Sequence, residues 1–299
     1  MSNFSKFQFP ENIKILDSIL ESCRLCPREC RVNRKQNETS FCKAGAEICI
    51  ASHNLHFGEE PPISGTKGSG TIFFSFCNLA CEYCQNYPIS HLGNGNNFST
   101  DELVNIMLKL QEKGAHNINF VSPTHYSAQM AKAVCLAKNA GLKIPIVYNC
   151  GGYEPVKIIN LLDGIVDIYL VDMKYGINAL AAKYSGVKAG NYVEVNKLAV
   201  RLMFEQVGFL KLDKNGIAKK GVIVRHLMLP KNLENTFKVL DNLAEISNQI
   251  HLSFMSQYHP VYNSYKYPEL AEKLTEDEYN QGVKYLEQKG FCNGWVQKF

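Results

Sequence analysis

The chain has 299 residues, enough for one large domain or two small ones, and its apolar fraction of 45% is ordinary for a globular protein. Its formal net charge of +4 gives no basic footprint, so we expect no nucleic-acid partner. Residues 1–10 lack the apolar core of a signal peptide, and no apolar run reaches the length of a membrane span. These observations predict a cytoplasmic protein with no membrane partner.

Four cysteines near the start of the chain have the spacing of a metal site. Residues 12–22 carry a helical apolar stripe, and two tight groups of thiols follow it, at Cys23, Cys26, Cys30 and Cys42. In a reducing compartment such groups indicate metal ligation rather than disulfides. Four thiolates suit either zinc or an auxiliary iron–sulfur cluster, and the sequence leaves both open. We therefore predict a cysteine-rich metal-binding extension over residues 1–65.

A connector rich in proline and glycine follows this extension. The stretch 53–65 contains the adjacent carboxylates Glu59 and Glu60, directly before Pro61 and Pro62. This composition predicts an irregular, turn-rich segment. Two neighbouring carboxylates could line a site, but such a pair is more often part of a solvated turn, and we favour that interpretation.

Three further cysteines follow a buried strand. The apolar run 71–76 predicts that strand, and Cys77, Cys81 and Cys84 follow it with C-x₃-C-x₂-C spacing. They therefore lie on a loop at the carboxyl end of a strand, where α/β enzymes place their chemistry. Three thiolates can hold three corners of a four-iron cluster and leave the fourth iron open to a small molecule. Three buried or zinc-binding cysteines are the simpler alternative.

Strands and helices alternate through the remainder of the chain. Further helices are predicted at 100–113, 128–139, 155–162, 191–206, 233–246 and 275–289. Further strands are predicted at 117–122, 144–149, 167–172, 221–229 and 249–257. A regular βα alternation predicts a parallel sheet with right-handed crossovers, either a barrel or a doubly wound sheet. Six units are too few to close an eight-fold barrel.

The cysteine loop, with the aromatic Tyr83 directly before its last cysteine, resembles the radical S-adenosylmethionine (SAM) superfamily. The resemblance implies a partial (β/α)6 TIM-like barrel over residues 66–299. It also implies a [4Fe–4S] cluster on Cys77, Cys81 and Cys84 whose open iron chelates SAM. One electron from the cluster then cleaves the sulfonium bond and releases a 5′-deoxyadenosyl radical.

Polar residues at the strand ends are candidates for contacts with SAM, as Tyr83 is. Many radical SAM proteins have a Gly-Gly-Glu stretch after the second strand, whereas this chain offers Ser122 and Thr124 as oxygen donors there. Asn149 ends the third strand and could bind the ribose or carboxylate of SAM, or instead satisfy the turn that follows it.

Charged residues end the fourth and fifth strands. Asp172 and Lys174 share one face of the chain. This Asp-x-Lys pair resembles the activating enzymes of glycyl-radical enzymes, in which the acid lies at a cation site beside SAM and the lysine near the SAM carboxylate; a plain salt bridge is the alternative. Arg225 stands in an aliphatic strand and must have an anionic partner, for which the SAM carboxylate is suitable.

The whole pattern resembles an uncharacterised branch of the superfamily related to pyruvate formate-lyase activating enzymes. The resemblance implies an enzyme that abstracts hydrogen from a protein, peptide or small molecule and receives electrons from a flavodoxin- or ferredoxin-type reductant. The activating enzymes lack the extension with four cysteines. The alternative function is a non-catalytic iron–sulfur electron carrier or a zinc-dependent interaction protein that uses this extension.

Overall fold

The computed structural model describes residues 7–187 and 190–299. Within these residues ten strands form a mixed sheet, in the order β10-β9-β8-β6-β5-β4-β2-β1-β3, with β7 paired to β8. The strands are β1 Ile48–His56, β2 Ser69–Phe74, β3 Asn96–Phe98, β4 Ile118–Val121, β5 Ile146–Cys150, β6 Ile168–Asp172, β7 Lys211–Leu212, β8 Ala218–Leu227, β9 His251–Met255 and β10 Gly294–Val296. The neighbours from β2 to β10 along this order are parallel, whereas β1 and β3 form an antiparallel edge.

Helices connect the parallel strands, as the alternation predicted. They are α1 Glu11–Ile19, α2 Pro61–Ser64, α3 Tyr87–Ser90, α4 Thr100–Glu112, α5 Ser127–Asn139, α6 Val156–Leu161, α7 Asn178–Ser185, α8 Tyr192–Val207, α9 Leu233–Ala244 and α10 Glu276–Gln288. Capping boxes begin α4 and α10, where Ser99 and Thr275 each accept a hydrogen bond from a backbone N–H three residues later. The mixed α/β fold with a mostly parallel sheet confirms the predicted fold class.

The inner face of the sheet has an apolar end and a polar end, as the alternation of side chains along the strands shows. Val147, Leu170 and Ile223 form a small buried cluster with Ile63 of α2. The residues two positions further along β5, β6 and β8 face the same side of the sheet, because side chains repeat every second residue. They are Asn149, Asp172 and Arg225. The polar residues therefore lie at the carboxyl ends of the parallel strands.

The N-terminal segment packs onto the helices of the sheet. Ile13 and Leu16 of α1 belong to the main hydrophobic core, and Asn12 Nδ2 donates a hydrogen bond to the carbonyl of Leu161 at 3.0 Å. The division of the chain near residue 65 remains a prediction. In the described residues, the helices are all too short or too polar to cross a membrane.

Several elements of the structure were not predicted. Among them are the short elements α2, α3, α7, β7 and β10. The strand β1 occupies part of the stretch predicted to be an irregular connector, and β3 lies just before α4, where no element was predicted. In β1 the first three residues are buried, whereas the polar residues from Ser52 to Asn54 face solvent. Because the second half of this strand is polar, its residues do not show the apolar periodicity from which strands are predicted.

Candidate active site

The three cysteines of the loop after β2 are held by defined hydrogen bonds. The backbone N–H of Leu79 donates to Cys77 Sγ at 3.4 Å, and Ser185 Oγ donates to Cys81 Sγ at 2.9 Å. Cys84 Sγ lies 3.1 Å from Ser90 Oγ. The loop begins at Phe76, whose φ of 69° is rare for a residue other than glycine. Such backbone strain is concentrated at functional sites.

The chemistry of these thiols fits a positively charged metal cluster. Burial raises the pKa of Cys77 to about 12 and that of Cys81 to about 11. Thiolates at these positions therefore need a cationic centre to stabilise them. Among the described residues, no three His, Cys, Asp or Glu side chains converge as the ligands of a single metal ion do. A four-iron cluster instead takes each thiolate on a separate iron.

A network of charged and polar side chains centres on Arg225. Its Nε donates to Asp172 Oδ1 at 3.1 Å, its Nη1 donates to Glu59 Oε2 at 3.2 Å, and its Nη2 donates to Asn149 Oδ1. Lys174 Nζ forms an ion pair with Asp172 Oδ2 at 2.6 Å. Burial alone would raise the pKa of Asp172, but Lys174 and Arg225 together bring it below its ordinary value. The carboxylate of Asp172 is therefore held ionised between two cations.

The two carboxylates that precede α2 belong to this network, so the predicted solvated turn is wrong. Glu59 Oε1 accepts hydrogen bonds from Asn119 Nδ2 at 2.9 Å and from Asn149 Nδ2 at 3.4 Å. Burial raises the pKa of Glu59, and Arg225 partly offsets this rise. Glu60 is also buried. The signal that could have found them is the arginine on β8, since a buried guanidinium requires carboxylate partners.

The loop and the network face a common cleft. Two adjoining cavities of about 200 and 160 Å³ share Cys81, Cys84, Asp172, Lys174 and Arg225 in their linings. The lining also includes other predicted site residues, which are Cys77, Tyr83, Ser122 and Asn149. The structure therefore brings together all three loop cysteines and most of the predicted contacts with SAM.

The residues after β4 divide between the cleft and the interior. Ser122 lines the cleft with a φ of 57°. Thr124 is buried, and its Oγ1 donates to Glu154 Oε1 at 2.5 Å. Its hydroxyl is therefore engaged inside the protein, and we leave Thr124 out of the proposed contacts with SAM. His125 Nε2 lies 2.8 Å from the carbonyl of Ser75, and burial lowers the pKa of this imidazole to about 3.

Tyr83 reaches the cleft from a buried cluster of tyrosines. Its hydroxyl lies 2.9 Å from that of Tyr175, which in turn lies 2.6 Å from Ser185 Oγ. Since Ser185 also donates to Cys81, these hydrogen bonds link Tyr83 to a cysteine of the loop. The aromatic residue thus fixes the position of the loop as well as lining the cleft.

The four N-terminal cysteines lie close enough for their charges to interact. Burial is the main cause that raises the pKa of Cys23 and of Cys26; the neighbouring Cys30 adds to the rise at Cys23, and Cys42 and Cys23 add to that at Cys26. Burial raises the pKa of Cys26 to about 12. The buried guanidinium of Arg34 partly offsets the effect of burial at Cys23.

Arg28 joins the N-terminal extension to the cysteine loop. Its Nε donates to the carbonyl of Asn78 at 2.8 Å, and its Nη2 donates to the carbonyl of Gly186 at 2.8 Å. Its guanidinium carbon lies 3.3 Å from the centre of the Phe41 ring. Arg28, two residues after Cys26, thus contacts Asn78, which directly follows Cys77. The two groups of cysteines therefore lie on neighbouring segments.

A pH dependence of stability follows from the buried carboxyl group of Glu154. Burial raises its pKa from 4.5 to about 8, against the hydrogen bonds from Thr124 and Tyr148. Between these values the group is ionised in the unfolded chain and protonated in the folded one, so the folded state loses stability as the pH rises. Relative to E154Q, the wild-type free energy of unfolding should fall by on the order of 1 kcal/mol per pH unit.

Urea titrations of both proteins across this pH range measure the difference. E112Q, a change at an exposed residue of α4, is the matched control and should retain the wild-type slope. If wild type and E154Q gave parallel profiles, Glu154 would not carry this proton.

Comparison with known proteins identifies the class to which this fold and this cleft belong. The chain belongs to the radical SAM superfamily, whose family model matches residues 71–244. The chain is 31% identical over 287 residues to Uncharacterized protein MJ0674 of Methanocaldococcus jannaschii, which covers 92% of this chain and 77% of that protein. The superfamily implies SAM and a [4Fe–4S] cluster as cofactors.

Solved structures show the same fold. SuiB of Streptococcus suis bound to S-adenosylmethionine superposes with a TM-score of 0.51 at 12% identity, over 75% of this chain and 48% of SuiB. A second SuiB structure gives a TM-score of 0.50 at 12% identity, over 77% of this chain and 48% of SuiB. The chain therefore spans about half the length of SuiB, and the likeness establishes the fold alone.

Proposed function

We propose that this protein is a radical SAM enzyme that reductively cleaves SAM and abstracts hydrogen from a protein, peptide or small molecule. The observation that carries the proposal is the shared cleft, in which three cysteines face Asp172 and Arg225. Cys77, Cys81 and Cys84 would hold a [4Fe–4S] cluster, which would supply the electron for the cleavage of SAM to methionine and a 5′-deoxyadenosyl radical.

The remaining residues of the cleft bind and orient SAM in this proposal. Asp172 is ionised and faces the cleft, so it can accept hydrogen bonds from the amino group of SAM. Lys174 is a donor for the SAM carboxylate, because its ammonium group lies beside Asp172 in the lining of the cleft. Asn149, Ser122 and Tyr83 contribute further polar contacts from the neighbouring walls.

Arg225 has protein partners of its own. It already binds Asp172, Glu59 and Asn149, so the SAM carboxylate is not needed to neutralise it. We propose that its main role is to hold Asp172 and Asn149 in position. The same arrangement keeps these polar groups rigid before SAM binds, which lowers the entropic cost of binding.

The location of the enzyme, its reductant and its type of substrate are proposed from the family resemblance. We propose a cytoplasmic enzyme that receives electrons from a flavodoxin- or ferredoxin-type protein. The Asp172 and Lys174 pair resembles that of the pyruvate formate-lyase activating enzymes, which abstract hydrogen from a glycine of a partner protein. Those enzymes lack the extension with four cysteines, so activation of a glycyl-radical enzyme is one form of the proposed hydrogen abstraction among others. The N-terminal cysteines are proposed to hold zinc or a second iron–sulfur cluster. In the described residues these thiols do not converge on one point, so zinc would have to draw them together on binding, whereas a cluster takes each thiolate on a separate iron.

Formation of 5′-deoxyadenosine tests the proposed function. Anaerobically reconstituted protein, supplied with SAM and dithionite, should form at least one 5′-deoxyadenosine per chain, measured by chromatography. A fully reconstituted protein that leaves SAM intact would exclude the enzyme and favour the electron-carrier or interaction-protein alternative.

Metal analysis of a C26A/C42A variant tests the extension separately. The variant should lose about one zinc, or about four iron, per chain and keep the iron held by the cysteine loop. C135A, at a partly buried cysteine of α5, is the control and should keep the full wild-type content. An unchanged metal content in C26A/C42A would show that the extension binds no metal.

A further inference from the structure

A second chamber opens beside the proposed SAM cleft and shares one wall with it. It has a volume of about 240 Å³ and lies between the Glu59–Glu60 segment and strands β9 and β10. Arg225, Met255 and Gln257 line both this chamber and the cleft. A molecule in the chamber would therefore lie next to the site at which SAM is proposed to react.

Glu60 lines this chamber, and one of its carboxylate oxygens, Oε2, is enclosed by protein atoms. The residue is 8% exposed, and among the described residues its Oε2 has no hydrogen-bond partner. Arg225 Nη1 lies 4.0 Å from it, too far for a hydrogen bond. The hydrogen bonds of this guanidinium go instead to Asp172, Glu59 and Asn149. A buried carboxylate without a hydrogen-bond donor is costly, so an occupant that brings a positive charge beside Glu60 stabilises it.

The charges around the chamber favour a cation. In the described network Asp172, Glu59 and Glu60 share two cationic side chains, those of Lys174 and Arg225. Lys174 is paired with Asp172, and Glu60 is the most distant carboxylate from Arg225. The two cations thus leave one negative charge in excess, and a cation beside Glu60 compensates it best.

The remaining wall suits a narrow apolar stem behind such a cation. Trp295 and Met255 line the chamber, and an indole ring also attracts cations. At its rim, Gln297 Nε2 donates to Gln257 Oε1 at 3.2 Å. The chamber is smaller than the roughly 300–1,000 Å³ of pockets for drug-sized ligands, so it fits one extended side chain or a short alkyl chain.

We propose that this chamber is the substrate site and that the substrate carries a protonated primary amine bound by Glu60. The proposal rests on the proposed function, since it takes the neighbouring cleft as the source of the radical. The amine is either a small alkylamine or the side chain of a lysine in a peptide, because both present the same ammonium group on a four-carbon stem.

Calorimetric titration of the anaerobically reconstituted holoprotein with three probes tests this site. The probes are n-butylammonium chloride, N-acetyl-lysine amide and 1-butanol, which has a similar shape without the charge. At least one of the two amines should bind, and 1-butanol should bind at least tenfold more weakly than that amine. Tighter binding of N-acetyl-lysine amide indicates a peptide substrate, and tighter binding of butylammonium indicates a small amine.

E60Q should weaken the binding of the amine by about tenfold, because it keeps the shape of the side chain and removes its charge. E112Q should bind as the wild type does. Equal affinity for 1-butanol and the amines, or no amine binding, would overturn the proposal even if E60Q failed to fold. These titrations measure binding alone, so a protein that cleaves SAM but binds no amine would refute the chamber without refuting the proposed function.

Discussion

C81A should reduce the formation of 5′-deoxyadenosine to the level of the enzyme-free reaction. Cys81 is buried, its Sγ accepts a hydrogen bond from Ser185, and it lines both cavities of the cleft. Without this thiolate the loop has two ligands for a four-iron cluster, one fewer than the superfamily pattern provides. Iron content and 5′-deoxyadenosine should therefore be lost together, and C77A and C84A should behave in the same way.

C292A is the matched control for this experiment. Cys292 is exposed near the end of the chain, and its Sγ lies 3.9 Å from Gln249 Oε1, so it is outside the cleft. It should retain wild-type iron and turnover. If C81A formed 5′-deoxyadenosine at the rate of C292A, the three cysteines would not be the ligands of the reactive cluster.

R225M should lower the free energy of unfolding by about 3–5 kcal/mol, the usual cost of breaking a buried ion pair by removal of one partner. The substitution leaves Glu59 buried with its charge uncompensated, and it removes one of the two cations beside Asp172. Urea titration of the anaerobic protein measures the loss. E59Q/R225M should recover part of it, because the double variant removes one of the stranded charges.

R201M is the control, because it replaces an arginine that lies outside the network with methionine. Arg201 is exposed on α8, and its replacement should change the free energy of unfolding by less than about 0.5 kcal/mol. A loss of stability in R225M no larger than in R201M would mean that the network contributes nothing to the fold.

The strand-end residues of the site could be predicted because they follow a simple rule. Asp172 and Arg225 are paired across β6 and β8, and Asn149 on β5 pairs with Leu170, two residues before Asp172. Because side chains alternate, all three lie on the inner face. The position of the loop cysteines at the mouth of the cleft could be predicted from their spacing and from the strand that precedes them. In both cases the sequence pattern and the three-dimensional arrangement are related by local geometry, so no long-range information was needed.

The alternation rule does not predict the positions of Glu59, Glu60 and Thr124. The two carboxylates precede a four-residue helix and belong to no periodic element, so only the packing of α2 against the sheet carries them to Arg225. Thr124 begins a short 3₁₀ turn that directs its hydroxyl toward Glu154 instead of the cleft. These positions depend on contacts between distant segments, which sequence periodicity does not describe.

The central claim is that the cleft places SAM against a cluster held by the loop cysteines. Its most direct test is the electron paramagnetic resonance spectrum of the dithionite-reduced protein with and without SAM, recorded on C26A/C42A so that the signal of the loop is isolated. We predict a signal from a reduced [4Fe–4S] cluster whose g values shift when SAM is added. A cluster signal that is unchanged by saturating SAM, or the absence of any cluster signal, would contradict the account.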